Sequence, residues 1–177
     1  MPEIFSIRLE TERLILRPFT MDDVDPAYEM NLDPEVSRYT HDGGVRPRDD
    51  IESRIKNDVL GDYTKHGFGR FVVIHKADDR FIGFSSLKFV DEFDEVDLGY
   101  RFVQAYWGQG IATEAGWASL DFGFNQLKLS RIIAVALEEN QGSINVMDKL
   151  GFTFDKTIKE GPYSAAYYKL DVADYLK

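Results

Sequence analysis

The chain has no cysteine among its 177 residues. That absence excludes a disulfide scaffold, a thiolate zinc site and a cysteine nucleophile, and it fits a reducing compartment. Long apolar runs are missing too, since none approaches the ~20 residues that span a bilayer. The opening residues, MPEIFSIRLE, lack the basic and apolar segments of a signal peptide. We therefore expect a cytoplasmic protein with no membrane partner.

Positive charge is scarce. The chain has 21 Lys and Arg against 31 Asp and Glu, a formal net charge of −10. A groove that follows a nucleic-acid backbone needs clustered Lys and Arg, whereas the most charge-dense run, DEFDEVD at residues 91–97, carries five acids and no base. We therefore expect no direct nucleic-acid partner. The acidic run predicts either a solvated hairpin tip or a surface that attracts a cationic substrate.

Length and composition are those of one soluble domain, and no linker or repeat divides residues 1–177. Hydrophobic periodicity predicts an α/β fold with a mixed, mostly antiparallel sheet of seven strands flanked by helices. The predicted strands are residues 12–19, 68–76, 80–90, 95–103, 131–137, 152–158 and 165–171, and the predicted helices are residues 21–31, a segment from 47 to about 60, 110–125 and 142–150. Residues 31–47, which include His41-Asp42-Gly43-Gly44, and residues 61–67 are predicted as loops. The unit from 95 to 137 is predicted to be a right-handed parallel crossover.

A glycine-rich turn precedes the helix of residues 110–125. Gly108 and Gly110 allow the backbone to approach a ligand closely, and the helix that follows presents unpaired N–H groups and the positive end of its dipole. Those features suit a pyrophosphate without any Lys or Arg. Ordinary tight-turn geometry is the alternative explanation. Neither a P-loop nor a complete G-x-G-x-x-G motif is present, because the last required glycine position holds Thr113.

A second group of polar residues lies between the strand of residues 131–137 and the helix of residues 142–150. Asn140 and Ser143 stand at the strand end and the helix start, where both residue types commonly cap helices. The sequence KLGF follows at residues 149–152. Helix capping alone would explain Asn140 and Ser143, so their contribution to a binding site depends on what surrounds them.

Four segments taken together resemble the GNAT family of acetyl-CoA-dependent N-acetyltransferases, and within it the RimJ/RimL type that acetylates protein N-termini. They are TERLILRPFT, DLGYRF, WGQGIATEA, and N-x-x-S followed by KLGF, in the family's order and spacing over about residues 10–171. The resemblance implies a sheet that splays between its fourth and fifth strands and acetyl-CoA as the co-substrate.

The resemblance also implies the residues that hold acetyl-CoA. The pantetheine arm would pair with the backbone of Phe102 and Val103. The pyrophosphate would lie on the amides of the turn, namely Gly108, Gln109, Gly110, Ile111, Ala112 and Thr113. Asn140 would contact the cofactor or the end of the fifth strand. The family's usual Gln or Arg at the start of the phosphate motif is Trp107 here.

Two residues are candidates for catalysis. The resemblance implies a carboxylate base on the fourth strand, where Asp97 stands, with Glu95 on the same face as the alternative; the simpler interpretation is that Asp97 only ends the acidic turn. Many relatives protonate the CoA thiolate with a Tyr whose position holds Met147 here, and a thioether has no proton to donate. Ser143 is the expected substitute, and water is the alternative.

These residues predict direct transfer of an acetyl group to a primary amine, with a protein or peptide N-terminus as the expected acceptor. A small amine acceptor (a polyamine, a drug or an amino acid) and a non-catalytic acyl-CoA-binding module are the alternatives. We expect no metal, since His41, His66 and His75 are scattered, and no serine nucleophile, since G-x-S-x-G is absent. Both a monomer and a homodimer fit the sequence.

Overall fold

One twisted sheet of eight strands organises the molecule. The computed structural model describes residues 3–40 and 44–175. The strands lie in the order β1-β2-β3-β4-β5-β6-β8-β7 across the sheet. Their bounds are β1 Leu9–Glu10, β2 Leu14–Pro18, β3 Arg70–His75, β4 Arg80–Val90, β5 Glu95–Phe102, β6 Arg131–Leu137, β7 Thr153–Glu160 and β8 Tyr163–Asp171.

Helices connect these strands on both sides of the sheet. They are α1 Val24–Asn31, α2 Arg48–Arg54, α3 Leu60–His66, α4 Ile111–Asp121, α5 Gln141–Lys149 and α6 Val172–Tyr175. A π-helical turn, Ile55–Val59, joins α2 to α3, and a second, Phe122–Gln126, extends α4. A capping box precedes α1, because Thr20 and Asp23 bond reciprocally. No helix in the described ranges has the length and apolar character needed to cross a membrane.

The pairing confirms a mixed sheet that is mostly antiparallel. Every neighbouring pair of strands is antiparallel except β5 and β6, which run parallel and are joined through α4. Those two strands pair at a single position, Asp97 opposite Ile133. Beyond that position β5 continues to Phe102 beside an opening in the sheet, as the predicted splay requires.

Two predictions about the elements are wrong. The sheet has eight strands rather than seven, because Leu9–Glu10 pairs with β2; a strand of two residues shows no alternation in the sequence. Residues 61–67 are not a loop, since α3 runs through them to the left-handed Gly67, at φ 76°. The π-helical turn shifts the phase of the apolar stripe, and buried Tyr63 continues it. The predicted loop residues His41, Asp42 and Gly43 lie outside the described residues.

The two faces of the sheet have different roles. On one face α4 and the π-helical turn that extends it pack on the strands, for example where Phe71 meets Phe122 of that turn edge to face with ring centroids 5.2 Å apart. On the other face, near α1, Arg17 of β2 pairs with Asp23, and Phe84 of β4 packs against Phe19. Because side chains alternate along β5, Asp97 belongs to this second face and buried Leu98 to the first.

Candidate active site

The opening between β5 and β6 exposes backbone groups of β5. The Val103 N–H donates to Ile82 O of β4 (2.8 Å), so alternation directs the backbone groups of Phe102 and Tyr100 away from β4 and into the opening. The Phe102 carbonyl already accepts a hydrogen bond from Trp107 Nε1, at 2.7 Å. Both backbone groups of Val103 are paired, since its carbonyl accepts from the Tyr106 N–H.

The glycine-rich turn lies where β5 ends and α4 begins. Gly108 and Gly110 adopt positive φ values, 69° and 77°, and Gly110 is the N-cap of α4. No atom lies within 4 Å of the position that a Cβ of Gly108 would occupy. Within the described ranges, none of the six N–H groups of residues 108–113 makes a hydrogen bond of ordinary geometry. The turn therefore presents a row of unsatisfied donors at a helix N-terminus, which suits an anion.

Arg13 at the end of the β1–β2 turn holds this turn in place. Its Nη1 donates to the Gln109 carbonyl (2.8 Å), and its Nε pairs with the Glu114 carboxylate of α4 (2.6 Å). Arg13 Nη2 lies 3.5 Å from the position of a Gly110 Cβ. A guanidinium therefore stands beside the free amides. The Gln109 side chain donates to the Ala105 carbonyl and closes the turn from within.

A groove of about 410 Å³ continues from the turn along α4. Gly110 and Thr113 form one end, and Lys149 of α5 and the half-exposed Trp117 form the rest with two acidic side chains. Lys149 has no ion pair among the described residues. The groove therefore joins the free amides to a cationic side chain and an indole face.

Asn140 and Ser143 are bonded to each other at the start of α5. Asn140 is the N-cap: its Oδ1 accepts from the Ser143 N–H (3.2 Å), and its Nδ2 donates to Ser143 Oγ (3.1 Å). The capping role that the sequence suggested is therefore present. Tyr100 reaches across from β5, and its hydroxyl donates to the Ser143 carbonyl at 3.0 Å. Burial raises the pKa of Tyr100, so the phenol stays protonated.

Asp97 stands at the closed end of the opening, on the second face of the sheet. Its Oδ1 accepts from the Val135 N–H (3.2 Å), which is the first β6 amide directed at β5 beyond the paired Ile133. Burial raises the pKa of the Asp97 carboxyl to about 7, although the Val135 hydrogen bond and the charge of Lys88 act in the opposite direction. A carboxyl that titrates near neutral pH suits a general base.

The other candidates lie elsewhere. Glu95 shares the face of Asp97, but Arg131 Nη1 is 3.6 Å from its carboxylate, which makes it a weaker candidate for the base. Met147 belongs to α5 and is buried in the core. His75 bonds to Asp78, and His66 packs against Phe89. No group of three or more potential metal ligands occurs in the part of the chain that the structure describes.

Sequence reasoning missed two residues at this site. Tyr100 is part of the quoted DLGYRF segment, but only the fold shows that its hydroxyl meets α5 across the opening. Arg13 is separated by about 100 residues of sequence from the turn that it supports. No local signal marks this contact, because an acidic residue in the first turn of a helix is expected whatever it pairs with.

The match to known families agrees with this geometry. The family described as "Acetyltransferase (GNAT) domain" matches residues 13–153. Among curated proteins, an uncharacterised N-acetyltransferase, p20, of Bacillus licheniformis is 32% identical over 155 residues, which are 86% of this chain and 85% of that protein. The spermidine N(1)-acetyltransferase of Escherichia coli K12 is 25% identical, over 88% of this chain and 77% of that protein.

Solved structures show the same fold. A GNAT-family acetyltransferase from Bacillus anthracis superimposes with a TM-score of 0.82 at 25% identity, covering 94% of this chain and 99% of that one. The ribosomal-protein acetyltransferase RimL in complex with coenzyme A has a TM-score of 0.81 at 15% identity, covering 96% and 99% of the two chains. This chain belongs to the GNAT family and is an acetyl-CoA-dependent N-acetyltransferase.

Proposed function

We propose that this enzyme moves the acetyl group directly to a primary amine, with a protein or peptide N-terminus as the first candidate acceptor. One observation carries the proposal. Six backbone amides, at residues 108–113, have no hydrogen-bond partner in the described part of the chain, and they stand beside a gap in the sheet whose closed end holds Asp97, a carboxyl with a pKa of about 7. An anion site, a channel for an extended arm and a base occur in that order along β5.

The turn fits the pyrophosphate of acetyl-CoA. The free amides of Gly108, Gln109, Gly110, Ile111, Ala112 and Thr113 would donate to it. Glycine at positions 108 and 110 leaves space that a Cβ would fill. Arg13 Nη2 adds positive charge at this end, and Lys149 in the adjoining groove suits a further phosphate of the cofactor. Asn140 bounds the site through its cap of α5.

The pantetheine arm fits the free edge of β5. The Tyr100 backbone groups and the Phe102 N–H, which face the opening, would pair with its amides, much as an added strand would. Val103 differs from what the resemblance implies, because both of its backbone groups already bond within the protein. We therefore assign Val103 a side-chain contact rather than a hydrogen bond to the arm.

Two side chains would handle the protons. Acetyl-CoA supplies the thioester, and Asp97 as a carboxylate accepts the proton that the attacking amine must lose. Ser143 Oγ accepts from Asn140 Nδ2, so its own O–H is left to donate to the leaving thiolate. The Tyr100 O–H is already directed at the Ser143 carbonyl, and it fixes the position of that turn.

A small amine is the second candidate acceptor. It is favoured by the similarity to a spermidine acetyltransferase over most of the chain, whereas the N-terminal acceptor rests on the RimJ/RimL-like motifs. Thiol release from acetyl-CoA, measured with a peptide array and a panel of small amines, separates the two. Turnover with peptides alone supports the first candidate. No thiol release with any amine, from protein that still binds CoA, would contradict the proposed transfer.

A further inference from the structure

Arg70 in β3 has a guanidinium group that no carboxylate of the described residues neutralises. Its Cζ lies over the Phe84 ring, 5.3 Å from the ring centroid. Within the described ranges Arg70 makes no ion pair and no side-chain hydrogen bond. An arginine stays charged in a protein, and a half-buried one without a partner is costly. Such a group needs a reason beyond packing.

The sheet register places Arg70 on the face that carries Asp97. Arg70 is opposite Ser86 of β4, and Ser86 is opposite Gly99 of β5, two residues from Asp97. A Cβ at Gly99 would lie 3.1 Å from Ser86 Oγ and 3.6 Å from Asp97 Oδ2, which confirms that these groups share one face. Strand spacings put the Cα atoms of Arg70 and Asp97 about 12 Å apart. Along this path only the small residues Ser86 and Gly99 separate the cation from the candidate base, and the exposed Lys88 lies on the other side, opposite Asp97.

The charges around Arg70 do not cancel it. Burial is the largest cause that lowers the pKa of Arg70, and the charge of the neighbouring Arg101 lowers it further. The Arg101 guanidinium also lies over the Phe84 ring, 5.8 Å from its centroid. The carboxylates of Asp62 and Asp58 on the covering helices act in the opposite direction. Neither of them comes within ion-pair distance of Arg70 in the described structure. A ligand anion would therefore meet a fork of N–H donors that makes no ion pair within residues 3–40 and 44–175.

We propose that the acceptor amine carries a carboxylate, which Arg70 binds while the amine lies at Asp97. This proposal rests on the proposed function, because it takes Asp97 to mark the position of the amine. The Cα atoms of the two residues are about 12 Å apart, and both side chains extend from the same face of the sheet. The distance that remains between the guanidinium and the carboxyl group suits a small amino acid or a short acidic peptide segment. A polyamine would instead bring a second cation against Arg70, which is repulsive.

The first experiment varies the acceptor. Thiol release from acetyl-CoA is measured with γ-aminobutyrate against its amide, and with the peptide Ala-Glu-Ala-amide against Ala-Gln-Ala-amide, with spermidine as the cationic comparison. We expect kcat/KM to favour the carboxylate within at least one pair by about ten- to a hundred-fold, as for a charged hydrogen bond. A preference within the γ-aminobutyrate pair identifies a free amino acid as the acceptor, and a preference within the peptide pair identifies an acidic peptide. Equal kcat/KM within both pairs, or a preference for spermidine, overturns the proposal.

The second experiment varies Arg70. Arg70→Met keeps the packing on Phe84 and removes the charge, Arg70→Lys keeps the charge without the fork, and Arg8→Met at the exposed far edge of the sheet is the matched control. We expect Arg70→Met to remove the preference for the carboxylate, mainly through KM, with the amide rate and the CoA affinity unchanged. Arg70→Lys is expected to keep part of the preference for the carboxylate. An equal loss with acid and amide contradicts a carboxylate site.

Binding separates this proposal from the proposed transfer. If no amine releases thiol, γ-aminobutyrate and its amide are titrated by calorimetry into the CoA-bound enzyme. Binding of the acid that Arg70→Met abolishes would support the carboxylate site even though transfer had failed. The absence of binding by either acid, together with unchanged CoA affinity, would overturn the carboxylate site.

Discussion

Replacing the Asp97 carboxyl by an amide tests its role as a base. Asp97→Asn keeps an oxygen that can accept from the Val135 N–H, so the end of the opening stays bonded. It removes the proton acceptor alone. For a general base positioned at the attacking amine, the loss in kcat/KM at neutral pH is about 10²–10⁴. CoA affinity is expected to stay unchanged, because Asp97 lies at the closed end of the opening and away from the turn of residues 108–113.

The pH dependence sharpens this prediction. The wild-type enzyme needs the Asp97 carboxylate and the protonated amine together, so its kcat/KM rises with pH to about 7, the carboxyl pKa, and then levels off. The variant depends only on amine that arrives deprotonated, so its kcat/KM keeps rising tenfold per pH unit up to the amine pKa. The ratio of the two is therefore constant below about pH 7 and falls tenfold per unit above it.

Steady-state rates from pH 5.5 to 9.5 with one acceptor measure that ratio. A ratio that does not change with pH would refute the role of Asp97 as a base and leave it a support for the Val135 amide. Glu95→Gln is the matched control, because Glu95 lies on the same face two residues away and is paired with Arg131. It is expected to keep the wild-type profile.

Three other outcomes are expected. CoA at 100 times its Kd stabilises the folded wild-type protein by about 2.7 kcal/mol and so raises its melting temperature. Gly110→Asp should abolish this rise, whereas Gly161→Asp, also at positive φ but in the β7–β8 turn, should retain it. Ser143→Ala should lower kcat about ten- to a hundred-fold and Tyr100→Phe less, measured at saturating acetyl-CoA. Asp97→Asn should raise the free energy of unfolding at pH 8 by at most about 4 kcal/mol, because each unit between the ordinary pKa of 3.8 and the folded pKa of about 7 is worth 1.36 kcal/mol. Thermal unfolding should show that this gain disappears below pH 4.

The sign of that last effect follows from proton binding. Between pH 4 and 7 the folded state holds the Asp97 proton that the unfolded state has lost, so stability falls as pH rises through this range. Above pH 7 the folded protein carries the full cost of a buried carboxylate. The residue that we propose as the base therefore destabilises the fold at the pH where it works.

The sequence predicted most elements because their signals are local. The long strand β4 and the apolar strand β6 show clear periods, and Gly108 and Gly110 mark the turn that precedes α4. The two-residue strand β1 and the π-helical turn before α3 carry no such signal. They depend on what packs against them, so periodicity missed the first and ended the helix too early at the second.

The site was predictable only where its residues lie close together in the chain. Asn140 and Ser143 are three residues apart, and their mutual hydrogen bonds follow from that spacing. Arg13 and Tyr100 reach the site through the sheet, and nothing near them in the sequence points to it. Net charge leaves the acceptor open. The value of −10 favours a cationic substrate, whereas the face beside Asp97 carries Arg70, which makes no ion pair with the residues that the structure describes.

The most direct test of the site is the response of individual backbone amides to CoA. On uniformly ¹⁵N-labelled enzyme, addition of CoA is expected to shift the amide resonances of residues 108–113 most, and those of Tyr100 and Phe102 next, since these N–H groups are unpaired or face the opening. The Val103 amide, bonded to Ile82, should respond less. Large shifts confined to other parts of the sheet, with residues 108–113 unchanged, would contradict the account.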